Sequence, residues 1–152
     1  MSFITSDPLV ATHFFLEIDG AIISQLQSVD GLSMEVEKAE FAERYTKGAF
    51  NQRVTMSKPK MTGEITLKRL APLDATADAT WKWFMEVRSG KIGTSRKNGS
   101  VVIFDAAGAE VSRWNFEHAW PSKIASDSVD VTKNDPVTET ITLQYESLER
   151  KK

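Results

Sequence analysis

The sequence contains no cysteine, which excludes disulfides and thiolate metal sites. It has no run of about 18 apolar residues, so no membrane-spanning helix is expected. The opening residues, "MSFITSDPLVATHFFLEIDG", lack a basic segment followed by an apolar stretch, and synthesis in the cytoplasm without a signal peptide is expected. A net charge of -2 offers no general attraction to nucleic acid or to an acidic membrane. Histidines number two, His13 and His118, and neither sits in a metal-binding pair; a packed or hydrogen-bonded role suits each better than catalysis. No "GxSxG" elbow and no phosphate-cradling glycine loop is present. Asp105 and Gly108 read as hairpin-turn residues, the sequon at Asn98 as a chance match inside a turn, and "SRKNG" at 95–99 as a solvated turn. No metal, no cofactor and no enzymatic activity is expected.

What the sequence does have is period-two alternation. Phe14, Leu16 and Ile18 alternate with polar neighbours and end at Asp19-Gly20, a tight hairpin signal, after which a short strand covers about 21–28. Leu32, Met34 and Val36 alternate with Ser33, Glu35 and Glu37, and Ile65 and Leu67 mark a further strand. "SVVIF" at 100–104 is apolar without alternation, which implies burial on both faces. A strand follows over 109–120, and a last one over about 137–148 sets Val137, Ile141, Leu143 and Tyr145 against Thr138, Thr140, Thr142 and Gln144. One segment breaks the rhythm: Ala77, Trp81, Phe84, Met85 and Arg88 recur at helical spacing. They predict a helix over about 74–89, with Asp74 or Thr76 as N-cap and Gly90 as the stop. The 152 residues fit one domain, mainly β, a barrel or sandwich with one flanking helix.

Residues 44–61, "RYTKGAFNQRVTMSKPKM", are long for a loop in a compact domain. They carry Arg44, Lys47, Arg53, Lys58 and Lys60 and no acid, together with Tyr45, Phe50, Val54, Met56 and Met61. Just before them stand Glu35, Glu37, Glu40 and Glu43 against only Lys38. The two runs are opposite in sign. Within one molecule they would make a hairpin with cross-strand ion pairs, each worth little at the surface. Between molecules they would set partner and register. Glu35 and Glu37 side by side suit a solvated face better than glycosidase-like acid–base work.

"RWNFEHAWPSK" at 113–123 poses a further question, because Trp114, Phe116 and Trp120 need a cover. The block containing it, "VVIFDAAGAEVSRWNFEHAWPSKI" at 101–124, resembles the tail tube proteins of contractile phages and phage-like extracellular contractile injection systems. "DPL" at 7–9, "FFLEIDG" at 14–20, "VDGLSMEVE" at 29–37, "ITLKRL" at 65–70 and "WKWF" at 81–84 extend the resemblance along nearly the whole chain. The final strand, "ETITLQYESLER", is less acidic and less apolar than that family often shows.

The resemblance implies a β-barrel-like subunit with a flanking helix. Hexameric rings of it would join their inner sheets around a channel and stack into the inner tube inside a contractile sheath. Sheath, baseplate and spike proteins would be partners, with protein or DNA cargo in the lumen. Residues 44–61 would reach a neighbouring subunit, with Glu35, Glu37, Glu40, Glu43, Arg44, Lys47, Phe50, Arg53, Lys58 and Lys60 as contacts, and residues 1–12 would help stacking. Trp114, Phe116 and Trp120 would pack under the helix bearing Trp81 and Phe84, with Pro121 ending the strand because it has no N–H for the ladder. The rival expectation is a monomeric β-sandwich that stacks Trp81, Trp83 or Tyr45 on a sugar or peptide.

Overall fold

The computed structural model describes residues 11–44, 50–132 and 134–152, with the backbone alone at 43, 44, 50 and 51. Six strands come first: β1 (His13–Ile18), β2 (Ala21–Leu26), β3 (Ser28–Asp30), β4 (Glu35–Arg44), β5 (Phe50–Lys60) and β6 (Gly63–Leu70). Helices α1 (Ala79–Arg88) and α2 (Ile92–Ser95) follow, then β7 (Lys97–Phe104), β8 (Glu110–Ser126), β9 (Thr138–Tyr145) and β10 (Ser147–Arg150). Eight strands form one antiparallel sheet in the order β2-β1-β7-β8-β9-β6-β3, with β10 also on β8. β2 and β3 lie at opposite ends of that order, yet only Gln27 separates them in the chain, and its N–H donates to Lys68 O at 2.7 Å. One stretch of chain therefore forms both margins, and the sheet closes into a barrel.

Local chemistry accounts for most of these elements. Asp19 and Gly20 both have positive φ, 50° and 82°, the conformation a two-residue hairpin turn requires, and Ile18 pairs with Ala21 across it. At the β7–β8 turn the Asp105 carboxylate accepts hydrogen bonds from Ala107 and Ala109 N–H, while Gly108 takes φ 81°. β7 is buried from Ser100 to Ile103 without alternation, the pattern of a strand covered on both faces. Leu16, Ile65, Leu67, Val101, Phe116, Ile141 and Leu143 fill the interior, and Trp83 of α1 closes it.

β8 departs from the expected course in two ways. Lys97 pairs with Ala119 but Gly99 with Phe116, so Glu117 and His118 together oppose Asn98 in a β-bulge. His118 has φ 52°, and its N–H donates to Asn98 Oδ1 at 2.9 Å. Asn98 is thus a strand residue bracing a bulge, not a turn residue. Because the bulge shifts the pleat by one, Phe116, Ala119 and Pro121 point inward, while Trp120 lies half-buried on the other face. Pro121 does not end the strand either. β8 exchanges its β7 partner for β9 there, and Pro121 sits beside a register shift, where a missing N–H costs the ladder nothing.

α1 is shorter than its sequence pattern and rotated relative to it. Its N-cap is Asp78, not Asp74 or Thr76: Asp78 Oδ2 accepts the Trp81 N–H at 3.0 Å. Asp74 instead holds the preceding turn through Thr76 N–H and Oγ1. Gly90, φ 85°, follows the last turn as expected. The buried residues are Thr80 and Trp83, with Val87 packed behind them, whereas Met85 is exposed and Trp81 and Phe84 are half-buried, edge to face.

A buried charge network sets that rotation. Arg69 of β6 donates to both Asp78 oxygens at 3.0 and 2.8 Å and to Glu139 of β9 at 3.2 Å. Trp81 Nε1 donates to the other Glu139 oxygen at 3.3 Å. The cap, β6 and β9 are thereby tied at one point. Burial alone would raise the Asp78 pKa, but the hydrogen bonds from Arg69 and from Trp81 N–H outweigh it and hold the carboxyl below its ordinary value.

Candidate assembly surfaces

The β4–β5 hairpin is the part of the molecule that the barrel does not use. Of the 44–61 segment, Phe50–Lys60 form the second arm of a two-stranded sheet whose first arm is Glu35–Arg44, the hairpin alternative of the sequence reading. The acidic and basic runs pair in register, from Glu35 opposite Lys60 to Arg44 opposite Phe50. Val36 faces Pro59 and Lys38 faces Met56, so Ser57 and Lys58 together oppose Glu37 in a bulge. β3 leads into β4 and β5 into β6, which makes the hairpin an outgrowth of the β3–β6 pair. Among the described residues β4 and β5 pair with no other strand, and no element packs substantially against them. Each keeps one ladder edge open, the condition in which a strand pairs with another chain.

Its surfaces are more apolar than a solvated hairpin needs. Met56 is 84% exposed, Val54 62%, Val36 61% and Phe41 42%. By register Val36, Lys38, Glu40, Val54, Met56 and Pro59 share one face, while Phe41, Arg53, Ala39 and Thr55 share the other. The expected charge complementarity is met partly inside the chain: Lys60 binds Glu35 at 3.4 Å across the strands, and Lys38 binds Glu40 at 3.0 Å along one strand. Both pairs are exposed and contribute little to stability. Glu37, Arg53 and Lys58 are exposed on the same hairpin. Of the other expected contacts, Lys47, along with Tyr45, lies outside the described residues, as do the side chains of Glu43, Arg44 and Phe50 and the whole of residues 1–10.

The hairpin root is anchored to the barrel. Gly31, Ser33, Glu35, Lys60, Glu64 and Tyr145 line a notch of about 250 Å³. Burial raises the Tyr145 phenol pKa, with the Glu35 charge adding to the shift and Lys60 opposing it. Gly31 has φ 90°, and a Cβ there would lie 2.6 Å from Glu64 O, so only glycine passes the chain from β3 towards the hairpin this close to β6.

The expected core anchors divide. Phe116 is in the core and Trp114 packs against it, with α1 lying against β8. Trp120 instead shares a cleft with Val87, Ile92 and Arg96. The helix residue that closes the core is Trp83, whose Nε1 donates to Ser95 O. Trp81 and Phe84, the pair expected there, lie beside it. Helical spacing alone could not separate these tryptophans, because the rotation is fixed by Arg69 and Glu139, which come from other elements.

Among the described residues no three His, Asp or Glu side chains form a metal-binding group, and no helix is long and apolar enough to cross a membrane. His13 stacks on Phe15, and His118 Nδ1 lies 3.5 Å from Glu146. A stacking platform on α1 is no better placed, since Trp83 is 2% exposed and Trp81 is held by Glu139.

Residues 10–149 match the family described as T4-like virus tail tube protein gp19. Several solved structures share the fold. The tube-terminating cap of the anti-feeding prophage superposes with TM-score 0.74 at 19% identity, covering 99% of this chain and 95% of that one. A chain of the sheath–tube complex of the extracellular contractile injection system PVC gives 0.74 at 22%, covering 97% and 93%. Hcp1 from Flavobacterium johnsoniae gives 0.51 at 17%, covering 92% and 95%. No curated protein matches the sequence.

Proposed function

The chain belongs to the T4-like virus tail tube protein family and is a structural tube subunit; on that premise we propose that it forms hexameric rings stacked into the inner tube of a contractile tail or injection system. The observation that carries the mechanism is the β4–β5 hairpin, two strands of ten and eleven residues with open edges and exposed apolar side chains on both faces. A head-to-tail contact that uses one patch as donor and a different one as acceptor generates a ring when its rotation closes. The hairpin is the donor. Backbone pairing supplies affinity; Glu35, Glu37, Glu40, Arg53, Lys58 and Lys60 set register, joined by Glu43, Arg44, Lys47 and Phe50. The ring size of six follows from the family resemblance.

In this reading the protein has no turnover and needs no cofactor. The sheath lies outside the tube, baseplate and spike proteins meet its end, and protein or DNA cargo passes within. Residues 1–12 assist stacking. The subunit is made in the cytoplasm and works in the assembled particle, without binding membrane by itself.

Negative-stain images and sedimentation of the purified protein test the proposal, and rings or tubes are expected. Deleting residues 46–57 removes most of β5 and the residues just before it. The deletion variant is expected to keep the barrel's melting temperature and to sediment as a monomer. A wild-type protein that stays monomeric at high concentration, or a deletion variant that still forms tubes, overturns this reading.

A further inference from the structure

The sheet formed by β3, β6, β9 and the second half of β8 has one face in the core and one face bare. Ile65, Leu67, Ile141 and Leu143 point inward and are fully buried. Between them the alternate residues stand in rows across the strands: Asp30, Thr66, Thr142 and Lys123 in one, Ser28, Lys68, Thr140 and Ala125 in the next, then Glu64, Gln144 and the half-buried Trp120 at the edge. Ser28, Asp30, Glu64, Lys68 and Lys123 are exposed. α1 approaches from the core side, where Trp83 is buried and Asp78 grips Arg69. Among the described residues the helices reach this outer face only at its edge, where Trp120 shares a cleft with Val87 and Ile92, and no other element packs on the rows at Thr66 and Lys68.

The hairpin continues the chain of β3 and β6 beyond this sheet, so copies that join through it would set their strands beside it. A sheet closed into a ring has a longer circumference outside than inside. The bulky layers fit outside, and the bare face turns inward. Resting on the tube reading above, we propose that the rows around Thr66, Lys68, Thr140 and Thr142 are the wall of the channel, a charge-compensated hydroxyl surface along which cargo moves without being held.

Two clusters of polar groups on that wall pair among themselves. Lys68 lies 3.6 Å from Asp127, which accepts hydrogen bonds from Thr138 at 2.5 Å and Thr140 at 2.8 Å; these hydrogen bonds hold the Asp127 carboxyl below its ordinary pKa. Gln144 donates to Glu64 at 3.0 Å and to Ser122 at 3.2 Å. Asp30, Glu64 and Asp127 against Lys68 and Lys123 leave one net negative charge per copy (three acids less two lysines). Such a wall has no array of fixed cations for phosphates and only a small anionic surplus towards a basic polypeptide.

The absence of native cysteine allows a direct test. Thr142→Cys and Lys68→Cys place a single thiol on the wall, and Met85→Cys places one on the outward, exposed side of α1. Assembled tubes of each are labelled with a small maleimide and with a maleimide carried on a large polyethylene glycol. The small reagent is expected to label all three. The bulky one should label Met85→Cys freely and both wall positions slower by at least an order of magnitude. Disassembly with denaturant should erase the difference. Equal bulky labelling of Lys68→Cys and Met85→Cys in intact tubes overturns the wall assignment and leaves the tube reading standing. Wild-type protein that forms no rings overturns both.

Discussion

Replacing Asp78 with alanine would test the contact on which the helix turns. Three bonds are lost together: two to the Arg69 guanidinium, at 3.0 and 2.8 Å, and the cap bond from Trp81 N–H at 3.0 Å. The cap contributes about 1 kcal/mol. Removing one partner of a buried ion pair costs roughly 3–5 kcal/mol when the remaining charge is stranded. Arg69, 3% exposed, keeps Glu139 at 3.2 Å, so the cost falls towards the lower end of that range. A loss of about 3–4 kcal/mol lowers the melting temperature of a domain this size by roughly 10 °C. Thermal melts and urea titrations of dispersed subunits would measure it, with Asp78→Asn, which keeps the cap but not the charge, falling between. The pH dependence has a definite sign. Asp78 titrates lower folded than unfolded, so the unfolded chain binds more protons in that window and stability rises with pH. The gap between wild type and Asp78→Ala is therefore complete above the ordinary value of 3.8 and shrinks as acid protonates the native carboxyl. An Asp78→Ala melt within about 2 °C of wild type would refute the idea that this network positions the helix.

Three further outcomes are expected from equilibrium unfolding. Trp83→Ala, which empties the core site under α1, should cost about 3–5 kcal/mol, and Trp81→Ala clearly less; the reverse order would show that the helix packs on its other stripe. Trp114→Ala removes a side chain packed on the core and should lower stability by about 1.5–3 kcal/mol, so an unchanged melting temperature would contradict its placement. Gly99→Ala should unfold or severely destabilise the subunit, because the new Cβ would lie 2.3 Å from Glu17 O and 2.8 Å from Phe116. A stable, soluble Gly99→Ala protein would disprove the close approach of β1, β7 and β8 there.

Several misread residues share one cause. Alternation located β1 and β9, an unbroken apolar run located β7, and "DG" located the first hairpin, because those signals depend only on neighbours in the chain. The reading of Trp120 as a companion of Trp114 and Phe116 failed at His118, where one extra residue reverses the pleat. Nothing in "RWNFEHAW" marks a bulge, since it exists only because Asn98 of another strand is there to receive it. Glu139 is a buried carboxylate that nothing in the sequence alone singles out, because Arg69 and Trp81 meet it from elements 70 and 58 positions away.

The candidate surface was legible in the same uneven way. Opposite charge in the two runs and apolar residues among the lysines were visible in the sequence, and they marked 44–61 as unlike a linker. Whether those runs formed a loop, paired with each other or folded back onto the barrel was not visible, because strand pairing depends on what else competes for each edge.

The sequence by itself determined the alphabet of this protein: strands where apolar and polar residues alternate, one helix, turns at Asp19-Gly20 and Asp105–Gly108, and no thiol or catalytic constellation. Its motif order also carried the family. Only the tertiary structure decided which side of each element is inside, that the eight-stranded sheet closes through Gln27, and that β4 and β5 pair, among the described residues, with no strand but each other. Those facts depend on contacts between residues far apart in the chain, and no local pattern encodes which distant group will occupy a given face.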